Sequence, residues 1–121
     1  RPVSRDVQLD NAPVSADGRE NTVWCFAKAD DQGEIYHFIN LMGTDTGWRD
    51  EKQLKKEPAE LAPARTRLYT DYPARAVYLA SPDGADIAPV LLPFTAGQDE
   101  AGRYIEFTQP ALAYWNMIFL R

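Results

Sequence analysis

The sequence predicts an all-β fold, a two-sheet antiparallel sandwich with Greek-key-like connections and about eight strands. Three observations predict it. Short runs rich in Val, Ile, Tyr, Phe and Trp recur along the chain, and clusters of Gly, Pro and Asp separate them. The one stretch with helix-favouring composition, Glu51 to Glu60, has almost no apolar stripe with which to anchor a helix. A chain of 121 residues fits one domain, residues 1–121. At that length roughly two-thirds of the unfolded surface is buried on folding, without the help of a disulfide or metal.

Val3 to Leu9 reads as a weak first strand, followed by the turn-rich Asn11-Ala12-Pro13 and Ala16-Asp17-Gly18. Thr22 to Lys28 is a strong strand. Asp30-Asp31-Gln32-Gly33 has hairpin composition, and Glu34 to Leu41 returns. On this returning strand Ile35, His37, Ile39 and Leu41 share one face, and Tyr36, Phe38 and Asn40 the other. Both faces are largely apolar, so the strand is expected to be central, with one face on the core and the other covered by a loop or a neighbouring domain.

Met42 to Pro63 reads as a long surface excursion with at most a helical turn. Strands resume at Arg65 to Thr70 and Ala74 to Ala80, with Val77 and Leu79 expected to point inward, and Ser81-Pro82-Asp83-Gly84 signals a turn. Ala88 to Phe94 contains Pro89 and Pro93, which cannot donate ladder hydrogen bonds and so place it at a sheet edge. Ala96 to Gly102 reads as a flexible polar turn. Arg103 to Thr108 and Tyr114 to Leu120 are the last strands. No repeat, low-complexity segment or linker divides the chain.

The composition excludes several function classes. The formal charge of −5 opposes attraction to phosphate backbones, and Lys52, Lys55 and Lys56 are interleaved with Glu51 and Glu57, so nucleic acid is not an expected partner. No run approaches the roughly 18 apolar residues of a membrane span, and the first residues lack the apolar stretch of a secretory signal. The chain begins without Met, which is compatible with processing or excision from a longer protein. Cys25 lies in an apolar run and is expected to be a buried, inert thiol.

The single His, His37, sits mid-strand between Tyr36 and Phe38, where a structural role is the simpler reading than catalysis. One Cys and one His cannot make a zinc site. The acidic pairs Asp30 with Asp31 and Asp83 with Asp86 sit in turns without the spacing of a calcium loop. No catalytic residue, metal or cofactor is therefore expected.

The remaining chemistry is aromatic. Three Trp, six Tyr and five Phe make up 12% of the chain. Trp48 stands in a Gly- and Asp-rich loop beside Arg49 and Asp50, which combines a flat platform with hydrogen-bonding groups suited to a sugar. The simpler reading is that Trp48 caps the sandwich edge while Arg49 and Asp50 pair locally. Trp24 and Trp115 are mid-strand and are expected in the core.

Several segments taken together resemble a known family: His37-Phe38-Ile39-Asn40-Leu41, Gly47-Trp48-Arg49-Asp50, Val77-Tyr78-Leu79-Ala80-Ser81-Pro82-Asp83, Tyr104-Ile105-Glu106-Phe107-Thr108, and Leu112-Ala113-Tyr114-Trp115-Asn116-Met117-Ile118. Their order and spacing over residues 20–121 are similar to the C-terminal β-sandwich of the dextranase and cycloisomaltooligosaccharide glucanotransferase family, glycoside hydrolase family 66. The resemblance implies a secreted or periplasmic parent acting on α-1,6-linked glucan, with its catalytic carboxylates on a preceding (β/α)₈ barrel. A barrel needs about 250 residues, so this chain has no room for one. The role implied is a non-catalytic accessory domain packed against that barrel. The alternative is a carbohydrate-binding module that holds a glucan oligosaccharide at Trp48, Arg49 and Asp50.

Overall fold

The computed structural model describes residues 2–3, 7–43, 60–81 and 89–121. These residues contain no helix. They form eleven strands: β1 (Pro2–Val3), β2 (Val7–Leu9), β3 (Val14–Ser15), β4 (Val23–Asp30), β5 (Gly33–Asn40), β6 (Ala64–Tyr69), β7 (Val77–Ala80), β8 (Val90–Leu92), β9 (Thr95–Asp99), β10 (Gly102–Gln109) and β11 (Trp115–Leu120). The larger sheet runs β1-β4-β5-β11-β7-β8, with β3 added beside β4, and the smaller runs β2-β6-β10-β9. All pairs are antiparallel except β3 with β4.

The β4–β5 hairpin closes at the Asp30–Gly33 pair. Asp30 Oδ1 accepts the backbone N–H groups of Gln32 and Gly33, each at 2.9 Å, so its carboxylate builds the turn. Gly33 has φ +152°, and a Cβ there would fall on the Leu120 carbonyl oxygen, so only glycine lets β11 approach this closely.

Alternation along the strands fills the space between the sheets. Val23, Cys25, Ala27, Tyr36, Phe38, Val77, Leu79, Ile118 and Leu120 from the larger sheet meet Leu68, Ile105 and Phe107 from the smaller. Polar links cross the same layer. Asn116 Nδ2 donates to Gln109 Oε1 (3.1 Å), and Gln109 Nε2 donates to Thr66 Oγ1 (3.2 Å). All three side chains are buried, and each satisfies the next.

The edge position expected for Ala88 to Phe94 is found, since β8 is the last strand of its sheet. Three expectations need correction. The first strand divides, with β1 joining the larger sheet and β2 the smaller. Ala96 to Gly102 is largely strand, not a turn: Thr95–Asp99 pairs with Gly102–Glu106. Its polar residues suit an edge, and β10 supplies the ladder that local composition could not reveal. With β1 and β3 also present, the described strands exceed the expected number. The excursion from Glu51 to Ala59 and the Asp83–Asp86 turn lie outside the described residues.

Candidate docking face

The two outer faces of the sandwich differ in chemistry. On the smaller sheet, Arg65, Arg67 and Tyr69 of β6 lie beside Tyr104 and Glu106 of β10 and Asp99 of β9. Arg65 Nε donates to Glu106 Oε1 (2.9 Å), and Arg67 reaches both Glu106 Oε2 (2.7 Å) and Asp99 Oδ2 (3.0 Å). Tyr69 also donates to Asp99 Oδ2 (2.7 Å), and the Arg67 guanidinium lies 3.9 Å from the Tyr104 ring centroid. The Arg65 and Arg67 hydrogen bonds hold the Glu106 carboxyl below the usual carboxylate range, and the Tyr69 hydroxyl does the same for Asp99. This network satisfies its own charges.

The outer face of the larger sheet is apolar across five strands. The register sets three rows: Trp24, Ile39 and Trp115; Phe26, His37, Met117 and Ala80; and Lys28, Ile35, Phe119, Tyr78 and Leu91. Most of these side chains are only half-buried, Trp115 is 37% exposed and Leu91 61%. Contiguous apolar patches of this kind on folded proteins are characteristic of interaction sites. Tyr78, Pro89, Phe119 and Arg121 line a shallow groove of about 260 Å³ at one end of it.

Four rings interlock at the other end. Phe26 and His37 stack at 4.6 Å and 11°, Trp24 and Phe26 lie 5.0 Å apart, and His37 and Trp115 lie 5.8 Å apart. Trp115 Nε1 donates to His37 Nδ1 at 3.2 Å. Burial disfavours the imidazolium and Lys28 adds like charge, so His37 titrates below its ordinary range.

The model of glycosyl hydrolase family 66 matches residues 3–119. The chain belongs to that family. A cycloisomaltooligosaccharide glucanotransferase of Niallia circulans is 40% identical over 118 residues, which are 98% of this chain and 12% of that enzyme. A second enzyme of the same name and organism is 38% identical over 117 residues, again 12% of its length. The crystal structure of a Paenibacillus sp. cycloisomaltooligosaccharide glucanotransferase complexed with cycloisomaltoheptaose matches with a TM-score of 0.84 at 38% identity, covering 94% of this chain and 16% of that one. The chain thus spans about an eighth of the length of the curated relatives it matches.

In this family 66 chain, the candidate sugar contacts Trp48, Arg49 and Asp50 lie outside the described residues. Trp24 and Trp115 are not in the core as expected. Strand parity sends Val23, Cys25 and Asn116 inward and turns both indoles to the outer face. The double-sided apolar character of β5 was legible from alternation. The aromatic cluster was not, because it depends on β4 and β11 flanking β5 in one particular register.

Proposed function

We propose that residues 1–121 form a non-catalytic accessory domain of a longer glycoside hydrolase acting on α-1,6-linked glucan, and that the outer face of the larger sheet docks on the catalytic barrel of that parent. The reading is supported most by the contrast between the two outer faces: one is closed by its own ion pairs, while the other leaves an apolar surface half-buried across five strands. Relatives some eight times longer supply a body to cover it, and their names point to isomaltooligosaccharide substrates. An exported parent accords with a polymeric substrate.

The test is made in the full-length parent. Ile39→Asp and Met117→Asp each place a charge where apolar burial is needed and are expected to cost roughly 2 kcal/mol or more. The melting temperature and glucan-transfer or hydrolysis activity should fall, while Gln8→Asp on the opposite face should leave both unchanged. Wild-type melting in both outer-face variants would overturn the docking role. Efficient glucan hydrolysis by residues 1–121 alone would overturn the non-catalytic one.

A further inference from the structure

Among the described residues His37 is the one titratable side chain at the centre of the apolar face, and its surroundings specify its protonation state. An indole N–H only donates, so the Trp115 contact requires an unprotonated Nδ1, and the neutral ring carries its proton on Nε2. The ring plane is held by the parallel Phe26 ring. Its same-face neighbours are Ile35 and Ile39 along β5, Phe26 across on β4 and Met117 across on β11. The charged groups on these strands are Lys28, farther along β4 Asp30, which is paired with Arg121 at 3.2 Å, and on β5 Glu34, which is buried on the core side with Thr70 and Tyr36. Among the described residues no carboxylate faces the ring to hold an imidazolium.

We infer that His37 is the polar anchor of the docking face: its neutral ring donates from Nε2 to an uncharged oxygen, a carbonyl or a hydroxyl, of the parent's catalytic part, and protonation of the ring releases the contact. This rests on the docking reading given above. Protonating Nδ1 turns an N–H against the Trp115 N–H and leaves a cation beside Lys28 on an apolar surface. The ring is already held below the ordinary histidine range in the free domain, and docking holds it lower still, so docking is complete at neutral pH. It weakens as pH falls through the lowered value of the free domain, by up to about tenfold per pH unit until the docked ring itself titrates.

Hydrogen exchange of the β5 and β11 peptides in the full-length parent, corrected for the intrinsic pH dependence of exchange, reads this out between pH 5 and 8. Wild-type protection should fall on acidification by up to tenfold per unit. His37→Gln, which keeps an N–H donor but does not titrate, should hold its protection across the range, and His37→Phe should be weaker at pH 8 and flat with pH. A pH-independent wild type, or a wild-type pH profile in His37→Gln, would overturn the anchor. Protection that rises on acidification would mean that a carboxylate faces the ring, and would overturn the uncharged acceptor. Ile39→Asp separates the two readings. If it leaves protection unchanged at pH 8, docking itself fails; if it abolishes protection while the wild type is flat with pH, only the role of His37 fails.

Discussion

Thr70 donates its hydroxyl to Glu34 Oε1 at 2.6 Å, joining the end of β6 in the smaller sheet to β5 in the larger. Tyr36 donates to the same oxygen at 3.0 Å, and all three residues are buried. A carboxylate enclosed this far is tolerated only while its hydrogen bonds are made. Thr70→Val keeps the volume but removes one donor, and should destabilise the protein by about 1–3 kcal/mol. Glu34→Gln, which removes the charge and keeps an acceptor, should cost less. Urea unfolding of both variants measures the difference.

Gly97 on edge strand β9 faces Tyr104 on β10, and a Cβ at Gly97 would stand 2.6 Å from the tyrosine hydroxyl. The ring therefore lies across a backbone that only glycine leaves open, an arrangement that pins the register of an edge strand. Gly97→Val should displace Tyr104 from the Arg67 guanidinium and cost about 1–3 kcal/mol. Tyr104→Ala in the same chain should recover part of that loss, so the double-mutant cycle should be non-additive. Strict additivity would show that the ring and the glycine are not coupled.

Glu106, Asp99 and Asp30 all titrate below the usual carboxylate range. The causes are Arg65 and Arg67 at Glu106, the Tyr69 hydroxyl at Asp99, and the Gln32 N–H with Arg121 at Asp30. A carboxyl depressed on folding stabilises the native state above its unfolded value, and that stabilisation is lost as pH falls through the folded value. Melting temperatures followed by circular dichroism should thus drop as pH falls below about 4. Glu106→Gln should melt lower at neutral pH and lose less on acidification.

Burial pushes the Cys25 thiol up to about 12, and the side chain is 7% exposed. The thiolate is the reactive form, so a colorimetric disulfide reagent near pH 8 should label native protein only as fast as the strand opens. Unfolded protein should react at once. Immediate labelling of the native state would place Cys25 outside the core.

Much of the fold follows from local chemistry. Period-two alternation divides β5 into two faces and points Val77 and Leu79 of β7 inward, Asp30 and Gly33 mark the hairpin, and Pro89 and Pro93 mark an edge. These features depend on backbone donors, turn geometry and side-chain parity, which neighbouring residues are enough to specify. The order of strands within the sheets is another matter. β11 lies between β5 and β7 although it comes last in the chain, and β9 becomes a strand only because β10 is beside it.

The sequence by itself determined the all-β class, the two-faced apolar character of β5 and the want of room for a catalytic barrel, because alternation and length are local or additive properties. Only the tertiary structure decided which face is the core, that Trp24 and Trp115 lie outside it, and that His37 meets Trp115 across the sheet. Those facts depend on which strands pair and in what register. A shift of one residue would exchange the two faces, and the burial of the whole core selects between them.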